Sequence, residues 1–132
     1  MTEDIGKLVL RLALGVLMLL HGISKVVNGV DGIVGMVTGL GLPAAVAYGV
    51  YLGEVVGPLL VIVGLYTRVG ALLIAGNMLF ALLLAHRAEL FTLAPTGGWA
   101  LELQGMFLFG AVAVLLLGAG RFRVGGASGR FN

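Results

Sequence analysis

The stretch that decides the fold is GVYLGEVVGPLLVIVGL, residues 49–65. It is apolar over the length of a membrane-spanning helix and carries one charged residue, Glu54. An ionisable group near the middle of a bilayer costs roughly 2.5 to 3.5 kcal/mol on insertion scales, so it normally faces a partner inside a helix bundle or a water-filled cavity. Glu54 is therefore the first candidate for a functional residue.

Glycines and a proline in the same stretch predict how this helix packs. Gly49, Gly53 and Gly57 recur every four residues, which places them on one helix face where a second helix, or a second copy of the chain, can approach closely. Pro58 has no N–H to donate and its ring crowds the carbonyl of Glu54, so we expect a kink at the depth of the carboxylate. The alternative is purely structural, because Gly and Pro are common in membrane helices.

The composition indicates a single membrane domain. The chain has 132 residues, of which 60% are hydrophobic and 11% charged, well below the ~25% charged residues of a typical globular protein. It contains no cysteine, which excludes thiolate metal ligation, iron–sulfur clusters and disulfide exchange within the chain. We expect the lipid bilayer as a partner, no nucleic acid, no metal site and no covalently bound cofactor.

Four apolar spans are each close to the ~20 residues that cross ~30 Å of hydrocarbon. They are Ile5–Val27, Ala44–Tyr66, Val69–Arg87 and Gly98–Gly118. A very short connection, Tyr66 to Arg68, joins the second span to the third and requires a tight hairpin. The predicted fold is an all-α membrane protein, an antiparallel bundle of four transmembrane helices.

Two further segments lie outside these spans. After Asp31 the apolar residues follow helical spacing, and Gly41 is placed to end the helix, which is too short to cross the membrane and is expected along the interface. Residues 121–132 are rich in Gly and Arg. We therefore predict a transmembrane domain over residues 1–120 and a disordered cytoplasmic tail over residues 121–132.

Positive charge predicts the orientation of the bundle. With four spans, both termini and the turn between the second and third spans lie on one side, which collects six of the eight Lys and Arg residues. The other side has only Lys25 and Arg87. The positive-inside rule then places both termini in the cytoplasm, in a bacterial inner membrane.

In this orientation several polar residues lie in the outer half of the membrane. His21 and Lys25 are near the outer end of the first span, and Glu54 lies about 15 Å deep at 1.5 Å per residue. We predict Glu54 and His21 as catalytic residues. The predicted ligand-binding residues are Lys25, Arg11, His86, Glu102 and Asn77. The plainer alternative is that Lys25 extends to the headgroups, His21 binds a carbonyl, and Glu54 is paired for packing alone.

A set of short fragments occurs here in the order and spacing of a known family. They are RLALG at 11–15, HGISK at 21–25, GLP at 41–43, GE at 53–54, GLYTR at 64–68, NM at 77–78, His86, Glu102 and GAGR at 118–121. On these fragments nearly the whole chain resembles the DoxX family of small four-helix membrane proteins. The tail departs from the family pattern, because Phe122, Arg123 and Val124 follow Arg121, and no catalytic role is assigned to it.

The resemblance implies the four-helix fold and leaves the activity open. Family members have been linked to thiosulfate oxidation with quinone as acceptor, and to membrane complexes with redox and thiol-stress enzymes. The positions that match the family pattern are Arg11, His21, Lys25, Glu54, Arg68, His86 and Glu102.

Two hypotheses of different classes follow. In the first, the chain is a redox subunit that binds quinone, with His21 or Lys25 donating to a ring carbonyl and Glu54 exchanging protons. In the second, it is a non-catalytic scaffold whose glycine groove and cytoplasmic arginines recruit another protein. A pathway for small solutes or ions along His21, Glu54 and Asn77 is a third option. Haem between His21 and His86 has the least support, because no further motif accompanies it.

Overall fold

A computed structural model describes residues 1–85, 87–124 and 132. In chain order the helices are α1 (Thr2–Asn28), α2 (Asp31–Gly39), α3 (Ala45–Tyr48), a π-helical turn (Leu52–Val56), α4 (Gly57–Val63), α5 (Thr67–Phe80), a second π-helical turn (Ala81–Ala85), a 3₁₀ turn (Arg87–Glu89) and α6 (Glu102–Leu117). The described ranges contain no strand, only an isolated antiparallel bridge between Leu93 and Trp99. The prediction of an all-α protein is confirmed.

Three helical stretches in the described ranges are long and apolar enough to cross a membrane: Thr2–Asn28, Ala45–Val63 and Thr67–Leu84. They agree with the first three predicted spans to within a few residues. α6 has 16 residues, about 24 Å at 1.5 Å per residue, and begins four residues after the predicted start at Gly98. The reason lies in Trp99, which pairs with Leu93 and whose indole N–H donates to the carbonyl of Leu90 at 2.8 Å, so that the chain is still in a loop here.

The core lies between α1, α4, α5 and α6. α1 contacts α4 and α6, and α5 contacts the same two helices. The central buried side chains are Leu14, Met18, Val61, Ala71, Ile74, Ala75, Met78, Phe107, Ala111 and Val114. Large apolar side chains such as Leu20, Leu72 and Met106 point outward and are exposed. A helix that is apolar on its outer face as well as its inner one suits a lipid environment.

Glycines bring the backbones of these helices together. A Cβ on Gly22 of α1 would overlap the backbone carbonyl of Glu54, and a Cβ on Gly57 would lie 2.9 Å from the carbonyl oxygen of Gly70 in α5. A π-helical turn directly precedes Pro58 and is closed by the Gly57 amide donating to the carbonyl of Leu52, and a kink in the helix axis at this place stays a prediction. Such a turn relieves the crowding that proline causes in a regular helix.

The predicted glycine groove is used within the chain. Gly53 and Gly57 are buried against α5, and Gly49 is exposed. Assembly of two copies through these glycines stays a prediction, and for Gly53 and Gly57 the face that it would need is already occupied.

The hairpin between α4 and α5 turns at residues 64–66, slightly earlier than predicted. The amides of Gly64 and Leu65 both donate to the carbonyl of Leu60, and Gly64 has a left-handed φ of 77°. This conformation suits glycine and ends α4, so that Thr67 begins α5.

α2 confirms the predicted helix after Asp31. Its Val37 is fully buried, it packs against α3, and Gly41 follows its end with a left-handed φ of 83°. Its position along the membrane interface stays a prediction.

Described residues of the segment 121–132 make hydrogen bonds to the bundle, although Arg121, Phe122 and Val124 are exposed. The Val124 amide donates to the carbonyl of Val63 at 3.0 Å, and the Thr67 hydroxyl donates to the Asn132 side-chain oxygen at 2.7 Å. Residues 125–131 lie outside the described residues, so the boundary between domain and tail stays a prediction.

Candidate functional site

The candidate site is a buried carboxylate with two side-chain partners. Glu54 is 4% exposed, and its Oε1 accepts from the Lys25 ammonium at 2.5 Å. Its Oε2 accepts from the Asn77 amide nitrogen at 3.1 Å. A carboxylate can only accept hydrogen bonds, so this contact also sets which way the Asn77 amide is turned. Each oxygen of Glu54 has one partner on a neighbouring helix.

The three side chains are brought together by local features of three segments. Lys25 is in the last turn of α1, Glu54 in the π-helical turn, and Asn77 in the last turn of α5. Gly22 allows α1 to lie directly on the backbone of Glu54, and Gly53 leaves the space that the Asn77 side chain fills. The glycines therefore set the distances across the site.

The site forms the polar end of a cavity of about 520 Å³. Lys25, Glu54 and Asn77 all contribute to its lining. The rest is mostly apolar and includes residues of α2 (Ile33, Met36), of α3 (Val46, Ala47), of the π-helical turn (Leu52) and of α5, chiefly Leu72, Leu73 and Phe80. The volume falls within the ~300–1,000 Å³ typical of small-molecule sites, and a few polar groups in an apolar cavity are their usual pattern.

His21 lies outside this cavity. Its side chain is exposed, and its ring packs edge-on against Phe107 of α6, with ring centroids 5.6 Å apart and planes at 85°. His21 is one turn before Lys25 on the same helix but faces α6, whereas Lys25 faces the π-helical turn. The structure thus brings Lys25 and Asn77 to Glu54 and does not bring His21 there.

Arg11 is buried in the N-terminal half of α1, and none of its described hydrogen bonds goes to Glu54. Its guanidinium donates to the carbonyls of Val61 at 2.9 Å and Ile62 at 3.1 Å, in the last turn of α4. It also donates to Ala119 at 2.9 Å and Phe122 at 2.5 Å, just after α6. Fourteen residues of helix, or about 21 Å, separate Arg11 from Lys25. Arg11 therefore joins helix ends and is not part of the cavity.

The remaining predicted site residues that the structure describes also lie away from Lys25 and Glu54. Glu102 is exposed at the start of α6, with its carboxylate against Gly98. Arg68 is half-buried near Gly118, at the same end as Arg11. His86 lies outside the described residues.

Sequence reasoning missed Tyr51 and the role of α2. The Tyr51 hydroxyl donates to the backbone carbonyl of Lys25 at 3.1 Å and so ties the end of α1 to the segment that carries Glu54. A signal was available, because Tyr51 precedes Glu54 by three residues and shares its helix face. For α2 the helical spacing was visible, but nothing in the sequence shows that Ile33 and Met36 cover the cavity.

No three residues of the types His, Cys, Asp and Glu come together as a possible metal site within the described ranges. The arrangement instead offers an ammonium and an amide as hydrogen-bond donors and a buried carboxylate as a proton-exchanging group. These functions suit a neutral polar head group attached to an apolar body.

Fold and site together define a helical membrane protein with a part-buried ion pair facing a mostly apolar cavity. The family model described as DoxX matches residues 6–87, which is more than half of the chain. The chain therefore belongs to the DoxX family, as the resemblance predicted. The matched region contains Lys25, Glu54 and Asn77 and ends before α6.

One relative carries a functional name. The chain is 35% identical over 80 residues to the protein named "Putative oxidoreductase CatD" of Bacillus subtilis (strain 168). The aligned part is 61% of this chain and 59% of the relative's own length. No solved structure matches the chain.

Proposed function

We propose that this protein is an integral subunit of a bacterial redox system and binds a quinone in the cavity beside Glu54. The carrying observation is the Lys25, Glu54 and Asn77 cluster at the polar end of an otherwise apolar cavity. Membership of the DoxX family and a relative named as an oxidoreductase support a redox role.

The residues of the site match the needs of a quinone. A quinone has carbonyl oxygens that accept hydrogen bonds and an apolar body, and Lys25 and Asn77 supply donors next to an apolar wall. Its reduction to the quinol takes up two electrons and two protons. The electrons come from a partner redox protein, and Glu54 passes protons to a ring oxygen and is reprotonated from the outer side, with Lys25 compensating its charge.

The proposed membrane arrangement extends the three spans to four. α6 contributes Phe107, Ala111 and Val114 to the core and exposes Leu103, Met106, Phe109 and Leu116, as a lipid-facing helix would. We place α2 along the outer interface, where it covers the cavity. The excess of Lys and Arg on the side of the membrane nearer Arg11 supports an orientation with both termini in the cytoplasm, in a bacterial inner membrane.

Two other functions have less support than quinone binding. A continuous pathway finds no support in the described residues, because Leu14, Met18, Val61 and Ile74 fill the core between Glu54 and Arg11. A scaffold would need the ion pair only for packing, and quinone would then not bind at the cavity.

The test is quinone binding to the purified protein in lipid nanodiscs. The decyl-chain benzoquinone is titrated against wild type, Glu54→Gln and the control Glu3→Gln, which changes an exposed carboxylate at the other end of α1. Glu54→Gln keeps the shape of the side chain but removes the charge that orients Lys25, and we expect binding about tenfold weaker, the scale of a hydrogen bond to a charged group. Equal binding by all three proteins, or none by the wild type, would reject the proposal.

A further inference from the structure

The lining of the cavity includes residues that face outward from the bundle. Leu72 is 57% exposed and Leu52 is 52% exposed, yet both contribute to the cavity. Gly76, one turn after Leu72 on α5, is also exposed and also contributes. The cavity therefore has an opening at the outer surface of α5 and the π-helical turn.

Gly76 makes this opening possible. A Cβ built on Gly76 has no atom within 4 Å, whereas a Cβ on Gly53 would overlap Asn77. Gly53 is thus required by packing, and Gly76 is not. Glycine in an exposed helix interior costs about 1 kcal/mol relative to alanine, so Gly76 is unfavourable for the helix and leaves a gap in its surface.

The depth of the opening decides what can pass through it. Gly76 is nine residues after Thr67 and eight before Leu84, the ends of the apolar span of α5. At 1.5 Å per residue it lies about 13 Å from either end, close to the middle of the hydrocarbon layer. An opening at this depth faces lipid acyl chains and not water.

We infer that the cavity opens sideways into the acyl-chain region at Gly76. Its ligand is accordingly an amphipathic ring compound that enters from the bilayer, with its polar ring at Lys25, Glu54 and Asn77 and its apolar chain leaving past Gly76. Only the identification of the ring as a quinone rests on the proposed function. The side opening itself depends on Gly76, Leu72 and Leu52.

The opening can be tested without a quinone. Phe80 lines the cavity, so Phe80→Trp in a Trp99→Phe background places the only tryptophan of the chain there. In vesicles with brominated acyl chains, we expect Gly76→Leu to reduce quenching of this tryptophan by about twofold, since the new side chain fills the gap at normal packing density. The control Gly6→Leu adds the same side chain to another glycine with open space and should leave quenching unchanged.

The ligand class is tested in the same reporter protein, because quinones also quench tryptophan. Gly76→Leu should weaken a decyl-chain benzoquinone about tenfold, a typical effect of steric overpacking, and leave a methyl-substituted benzoquinone unaffected when both are compared at equal mole fraction in the membrane. If brominated lipids quench equally with and without Gly76→Leu, or if water-soluble acrylamide quenches as strongly, the side opening is wrong. If brominated lipids respond as expected but no quinone binds, the opening stands and the proposed function fails.

Discussion

Two charged side chains are buried at different depths in the bundle, and their surroundings differ. Arg11 donates all of its described hydrogen bonds to backbone carbonyls, those of Val61, Ile62, Ala119 and Phe122. Glu54 is held by two side chains, Lys25 and Asn77, and faces a cavity. Arg11 is surrounded by fixed groups, and Glu54 by groups that can move.

The difference matters because backbone carbonyls at helix ends have no other partners. The last carbonyls of an α-helix are unsatisfied within the helix, and a cation there also compensates the helix dipole. Arg11 joins the end of α4 to the segment after α6 in one geometry. Lys25 and Asn77, by contrast, have further N–H groups, so each can donate to a ligand atom while it stays bonded to Glu54.

The largest expected effect is at Arg11. Arg11→Met removes every one of these bonds and leaves buried carbonyls without donors, so we expect a loss of about 4 kcal/mol in the free energy of unfolding. Arg11→Lys should recover only part of it, because an ammonium cannot reach carbonyls on both sides as a planar guanidinium does. The measurement is reversible unfolding by SDS in mixed micelles.

The control for Arg11 is Arg121→Met, which changes an exposed arginine at the same end of the bundle and should alter stability by less than about 0.5 kcal/mol. Similar stabilities for the Arg11 and Arg121 variants would show that Arg11 does not join the helix ends.

For Lys25 and Glu54, a double-mutant cycle measures how much the interaction between the two side chains contributes to the free energy of unfolding. Lys25→Met leaves the buried Glu54 without its cation and should cost about 3 kcal/mol, whereas the double change Lys25→Met with Glu54→Leu removes both charges and should recover most of this loss. The same unfolding measurement checks it. A double variant as unstable as the sum of the single ones would mean that Lys25 and Glu54 act independently, against the short contact between them.

Substitutions at two glycines of the site, Gly53 and Gly76, should change the free energy of unfolding by smaller amounts and in opposite directions. Gly53→Ala drives a methyl group into Asn77 and should cost about 2 kcal/mol, within the range for overpacking. Gly76→Ala meets open space and should stabilise α5 by up to about 1 kcal/mol through helix propensity. If Gly53→Ala is harmless, the close approach of α5 to the π-helical turn is not as described.

Features that depend on residues close together in the sequence could be predicted, and contacts between distant segments could not. The first three apolar spans, the helix after Asp31 and the expectation that Glu54 faces the inside of the bundle follow from patterns within one segment, and these agree with the structure. The partnership of Lys25 with Glu54 was within the candidate set because their predicted depths agreed. Depth alone could not say which face of α1 meets which neighbour.

Rotation about the helix axis accounts for what was not predicted. His21 and Lys25 are one helical turn apart, about 6 Å along the axis, and differ in direction by only about 40°, yet one meets α6 and the other the π-helical turn. The π-helical turn changes which residues of the second span share a helix face. In the sequence, only Pro58 indicates an irregularity there. Arg11 was expected near the acid, but the unsatisfied carbonyls at the end of α4 are a closer partner than any side chain.

The smallest expected effect is at His21, and it decides whether the site is built from two neighbours of Glu54 or three. His21→Leu keeps an apolar contact with Phe107 and loses only the edge-on ring interaction, so stability should fall by less than about 1 kcal/mol. Quinone affinity in nanodiscs should equal that of the wild type, because His21 does not line the cavity. An affinity loss as large as that of Glu54→Gln, with stability preserved, would show that the imidazole turns toward the ligand when it binds, and would restore His21 as the catalytic partner that its place one turn before Lys25 suggested.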